Sequence, residues 1–144
     1  AGIKVGVYFY DAAITPEEAV EEASLCVSAL GGQSLDYPIF IDMEYSAWNA
    51  RNNDLTVKQR TAICNAFCST IRNSGYRAGV YASSSYLNNK LYMSQLSSNY
   101  VWVAHWGVDS PSYSGSYAVW QYSDSGIVDG ISGGVDMNIS YMGY

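Results

Sequence analysis

The chain has 144 residues, 49% of them apolar and 14% charged, with a formal net charge of −6. That length and composition support one domain with a real core and exclude disorder; no apolar run approaches the roughly 20 residues of a membrane span. Seven unclustered Lys and Arg give no footprint for nucleic acid or an anionic membrane surface, whereas 14 Tyr and 4 Trp among Ser, Asn and Gly suit sugar rings, which present C–H faces and hydroxyl edges.

The opening Ala1-Gly2-Ile3-Lys4-Val5-Gly6-Val7-Tyr8 lacks the basic-then-apolar pattern of a signal peptide. Ile3–Tyr10 alternates and reads as a strand. Thr15-Pro16-Glu17-Glu18 is a helix start, with Thr as N-cap, Pro in the first turn and Glu three residues after the cap. Apolar residues at helical spacing run from Ala19 to Leu30, and Gly31-Gly32 stops that helix. Ile39–Glu44 reads as a buried strand ending in two acids, followed by a polar loop, Ser46–Asp54. Thr56-Val57-Lys58-Gln59 is a second capping box, opening a helix that carries Ile63, Phe67 and Ile71 on one face and ends at Asn73-Ser74-Gly75. Ala78–Ala82 is a strand, Ser84–Leu96 holds a short helix, and Val101–Trp106 and Tyr117–Tyr122 are further strands. The glycine-rich tail, Ser123–Asn138, has a short strand near Val135.

About six strands alternating with helices argue an α/β fold with a parallel sheet. A weak repeat, Gly2–Tyr8 against Gly75–Tyr81, fits such units. A closed (β/α)8 barrel takes about 200 residues or more, so the expectation is a TIM-like β/α barrel that is N-terminally incomplete, with residues 1–144 forming one partial domain. The three cysteines are odd in number and without compact spacing; Cys64 and Cys68 share a helix face, and all three read as buried small hydrophobes. His105 is the only His, so a zinc site is not expected. A P-loop, a Rossmann fingerprint and a G-x-S-x-G elbow are all missing from the sequence.

Asp42 and Glu44 alternate onto one strand face. Two carboxylates at the end of an apolar strand are costly unless paired, hydrated or used. Crowded acids push their pKa values apart, and glycoside hydrolysis exploits that division of labour. Asp136, in Gly134-Val135-Asp136-Met137-Asn138, reads as the end of a strand, where parallel α/β folds gather their sites. Tyr10, Tyr81, Trp106 and Trp120 fall at or near strand ends and are candidates to line a sugar groove. The residues alone leave other readings open. The acidic pair could cap a helix or hold Mg²⁺ or Ca²⁺, Asp136 could be a turn residue, and His105 a packed one.

Several of these segments together resemble the glycoside hydrolase family 25 lysozymes. They are Gly2–Tyr10 with its Gly-Val-Tyr core, Pro38-Ile39-Phe40-Ile41-Asp42-Met43-Glu44, Gly75–Ala82, Trp102-Val103-Ala104, Trp120-Gln121-Tyr122 and Gly133–Asn138, in family order along essentially the whole chain. The resemblance implies an irregular β/α barrel acting without a cofactor, as a monomer, on peptidoglycan glycan strands. The bond implied is the β-1,4 link between N-acetylmuramic acid and N-acetylglucosamine. It implies Glu44 as general acid, Asp42 as its assistant and Asp136 at the rim of the same site, with Tyr10, Tyr81 and Trp120 around the groove. It also implies a secreted or cell-wall-acting protein, with a phage endolysin as one origin. The family's first strand carries another active-site Asp that nothing here matches, so the alternative expectation is a truncated, inactive carbohydrate-binding domain.

Overall fold

A computed structural model of the chain describes residues 2–47 and 50–143. Six strands form one curled sheet in sequence order: β1 (Val7–Tyr10), β2 (Ile39–Asp42), β3 (Ala78–Ser83), β4 (Tyr100–Ala104), β5 (Val119–Gly126) and β6 (Val135–Ser140). The first five are parallel, joined by α1 (Pro16–Leu30), α2 (Val57–Asn73), α3 (Ser84–Asn89) and short 3₁₀ turns at Ala50–Asn52 and Met93–Leu96. This is an α/β barrel-like architecture, open between β1 and β6 among the described residues.

The helix boundaries lie where their caps place them. Thr15 accepts from the Glu18 N–H, Pro16 opens α1, and Gly31 ends it in the left-handed region at φ 58°. Thr56 and Gln59 form a complete capping box at α2. Both helices cover one face of the sheet. Ala19, Ala23 and Cys26 of α1 and Ile63, Cys64, Phe67, Cys68 and Ile71 of α2 bury against Ile39, Ile41, Met43, Val80 and Val103. Each large aliphatic or aromatic side chain so buried contributes about 1.5–3 kcal/mol before entropy is counted. The three cysteines are unpaired and buried in this layer or its margin.

Alternate residues of the same strands face the concave side. Phe40, Tyr81, Ala104 and Val119 make a second buried cluster there, with Trp102 against it. Trp102 meets Tyr81 edge-on at 4.7 Å and Phe40 at 5.3 Å. Gly79 is what admits this layer: a Cβ there would lie 2.4 Å from the Phe40 ring.

Three expectations are corrected. The first strand begins at Val7 rather than Ile3, because the preceding residues bond to a turn instead of a strand: the Asp36 carboxylate accepts from the Val5 N–H, and the Val5 carbonyl accepts from Asp36 and Tyr37. The sheet is not wholly parallel, since β6 folds back antiparallel on β5. That pairing also carries β5 on to Gly126, beyond the expected end at Tyr122. In the loop Ser46–Asp54, Trp48 and Asn49 lie outside the described residues; Ser46 and Asn53 bridge it by two hydrogen bonds between side chain and backbone.

Candidate active site

The carboxyl ends of the parallel strands open onto a cleft of about 310 Å³. Tyr8 and Tyr10 of β1, Asp42 and Glu44 at the end of β2, and Tyr81 of β3 line one side. Trp102 of β4, Gln121 of β5 and Asp136 of β6 line the other. Register explains the gathering: Tyr10, Asp42 and Tyr81 are lateral partners across β1, β2 and β3. The period-two alternation continues past the end of β2, so Met43 is buried in the helix-side core while Glu44 shares the cleft with Asp42.

Asp136 reaches the cleft by a different route from the one expected. It is the second residue of β6, not the last. Because β6 is antiparallel, its beginning lies level with the carboxyl ends of the parallel strands.

The aromatic candidates divide. Tyr10 and Tyr81 line the cleft. Trp106 lies just beyond β4, half exposed, and touches the site indirectly by donating its indole N–H to Gln121 Oε1 at 2.8 Å. Trp120 is not brought to the cleft. It alternates with Val119 and Gln121, so its ring lies in the helix-side core and its N–H donates to the His105 carbonyl at 2.9 Å. The residue before or after an inward-facing one always faces away in a strand, and Gln121 takes the inward place. His105 is a structural residue, its Nδ1 accepting from the Ser112 N–H at 3.0 Å.

The lining holds three carboxylates and no Lys or Arg. Asp42 is 7% exposed, and its Oδ1 has no hydrogen-bond partner. Burial first, then the charges of Glu44, Asp11 and Asp136, push its pKa up to about 8. Glu44 is open to the cleft and is also raised above its ordinary value, by desolvation and then by Asp136. Burial and the same acids raise the Tyr81 hydroxyl, which donates to Gln121 Oε1 at 3.0 Å. No group of three or more His, Cys, Asp or Glu among the described residues is disposed to hold a metal ion.

A second acidic pair lies directly behind the cleft. The Asp11 N–H donates to the Asp42 carbonyl at 3.1 Å. The Asp11 carboxyl, 2% exposed, accepts from Asn52 and Ala13 and meets Glu22, which accepts from the Ala12 N–H. Burial and the Glu22 charge push Asp11 up to about 7, and Glu22 is raised as well. Two acceptors facing each other require a proton between them. This pair ties the end of β1 and the middle of α1 to the turn at Asn52 that follows the Asp42–Glu44 segment.

Tyr8, Trp102, Gln121 and Asp11 belong to the site or its support and were not singled out from the sequence. Alternation would have found two of them. Val101 and Val103 as core residues put Trp102 on the other face, and a core Trp120 does the same for Gln121.

The comparisons agree with this fold. The model for "Glycosyl hydrolases family 25" matches residues 1–131. The autolytic lysozyme of Clostridium acetobutylicum is 32% identical over 138 residues, covering 96% of this chain and 40% of that protein. The structure of a bacterial lysozyme from Streptomyces coelicolor superposes with a TM-score of 0.81 at 28% identity, over 98% of this chain and 69% of that one. The autolysin LytC from Streptococcus pneumoniae, solved with a synthetic peptidoglycan ligand, gives 0.82 at 25% identity, over 97% and 34%. The chain spans 40–50% of the length of the curated relatives it matches. With the family model matched along nine-tenths of its length and the acidic strand ends held in one cleft, the chain belongs to the glycosyl hydrolases of family 25.

Proposed function

We propose that this chain hydrolyses peptidoglycan at the cell wall, cleaving the β-1,4 bond between N-acetylmuramic acid and N-acetylglucosamine, with Glu44 as general acid. The observation that carries the reading is the convergence of Asp42, Glu44 and Asp136, from strands far apart in sequence, in a cleft walled by Tyr10, Tyr81 and Trp102. Family membership and relatives named as lysozymes and an autolysin support it.

Glu44 has the two properties a general acid needs. It is open to the cleft, where it can reach a glycosidic oxygen, and its proton is held above the ordinary carboxyl range. As the bond breaks, Glu44 gives its proton to the leaving sugar oxygen, and positive charge develops on the anomeric carbon. Water supplies the hydroxyl that ends on that carbon, and its remaining proton restores Glu44. Burial and mutual crowding hold protons on Asp42 and Glu44 while no positive charge stands in the cleft. A cation among them lowers the cost of ionising those acids. The cluster therefore interacts more favourably with the transition state than with the ground state, which is the condition for catalysis.

The test is Glu44→Gln, assayed for reducing ends released from purified peptidoglycan. The expected loss is about 10²–10⁴-fold, with unchanged unfolding. Release at the unaltered rate refutes Glu44 as the acid, and glycan binding by the unaltered chain without any bond cleavage refutes hydrolysis.

A further inference from the structure

Gln121 is 2% exposed, yet it lines the cleft beside the carboxylates. Its Oε1 accepts two hydrogen bonds, from the Tyr81 hydroxyl at 3.0 Å and from the Trp106 indole at 2.8 Å. An indole N–H can only donate, so the amide has one permitted orientation. The oxygen must face Trp106, and the Nε2 amino group must face away from it. Both lone pairs of Oε1 are engaged, while no described residue accepts from Nε2 and Nε2 is not sealed in the interior.

A buried amide held in this way is a donor kept for something that enters the cleft. Of the donors that line the cleft, the Tyr81 hydroxyl is engaged on Gln121 and the Trp102 indole on Asn138 Oδ1 at 2.8 Å, whereas the Tyr8 and Tyr10 side chains are exposed at its edge. The lining holds three acids and no Lys or Arg, so nothing in it compensates an anion, and the acceptor that fits is neutral. On an amino-sugar glycan the strongest neutral acceptor is the carbonyl oxygen of an acetamido group. A sugar hydroxyl satisfies an amide donor less well, because it brings a donor of its own.

We propose that Gln121 Nε2 binds the acetamido carbonyl of the glycan, so that Gln121, clamped by Tyr81 and Trp106, selects N-acetylated sugars and sets the ring against the acidic residues. This rests on the glycan reading above, though not on turnover.

The experiment measures binding by calorimetry and leaves hydrolysis aside. The probes are chitotetraose, which carries acetamido groups, and cellotetraose, which is also neutral and carries hydroxyls in their place. The unaltered chain binds chitotetraose more tightly, by on the order of tenfold, the size of one hydrogen bond between neutral groups. Gln121→Glu keeps an acceptor for Tyr81 and Trp106 but removes the amino donor, and Gln121→Met removes both. Both variants lose the preference. A structural role alone would spare Gln121→Glu and would lower the affinity for both sugars together in Gln121→Met. Equal binding of the two sugars by the unaltered chain, or a preference retained in Gln121→Glu, overturns the proposal. Retained preference in a chain that releases no reducing ends sustains the Gln121 reading while refuting the hydrolase one.

Discussion

Replacing Asp42 by Asn should make the protein more stable and catalytically poor, and the gain should depend on pH. The folded chain holds a proton on Asp42 up to about pH 8, whereas an ordinary aspartate releases it near 3.8. Between those values the folded state binds more proton than the unfolded one. Stability therefore falls as pH rises through that window and is level on either side. At pH 7 the proton is retained about three units above its ordinary release, and at 1.36 kcal/mol per unit the cost is about 4 kcal/mol. Asparagine is nearly the same size and carries no charge to be neutralised. Urea unfolding of both chains at pH 4, 5.5 and 7 should give a difference near zero at the lowest pH, growing to about 4 kcal/mol in favour of Asp42→Asn at the highest. Release of reducing ends from peptidoglycan should fall at the same time. A difference that is constant with pH, or a variant less stable at pH 7, would refute the argument that desolvation and crowding dominate at this carboxyl.

Three further outcomes follow from the same structure. Asp136→Asn removes a charge that raises Glu44, so the alkaline limb of the kcat/KM–pH profile should move to lower pH, read with a soluble glycan over pH 4–9. Glu22→Ala leaves the buried Asp11 carboxyl and the Ala12 N–H without their shared partner and should cost about 1–3 kcal/mol in urea unfolding at pH 5, where the pair holds its proton. Gly79→Ala drives a methyl into the Phe40 ring and the Tyr100 carbonyl and should cost about 1–3 kcal/mol by thermal unfolding, through overpacking of the concave face.

The helices were legible because their signals are local. Thr15, Pro16 and Gly31, and Thr56 with Gln59, act within one turn of the bonds they make. The acidic pair was legible for the same reason, since strand alternation links Asp42 to Glu44 over two residues. What the sequence did not show depended on partners distant in the chain. The first strand was placed too early because alternation from Ile3 looks the same whether or not a neighbour pairs with it; Asp36 captures that segment from 31 residues away. Asp136 was assigned to the right cleft from the wrong end of its strand, because direction within a sheet leaves no mark on five residues. Trp120 was chosen over Gln121 by residue type, when the face of the strand decides. The Asp11–Glu22 pair was missed entirely, because only folding brings the end of β1 against α1 and Asn52.

The shape of the sheet has a consequence for its acids. Neighbouring strands lie about 4.8 Å apart, so in a flat sheet β2 and β6, four spacings apart, would stand roughly 19 Å from each other. Over such a gap, about twice the Debye length at physiological salt, Asp136 would exert little pull on Asp42 or Glu44. All three acids line one cleft, so curvature has closed most of that distance. The bend is thus part of the acid itself: it brings Asp136 to add to the desolvation that raises Glu44. Side chains that set the roll, such as Phe40 and Trp102 on the concave face, can therefore retune the chemistry from a distance while every carboxylate stays in place.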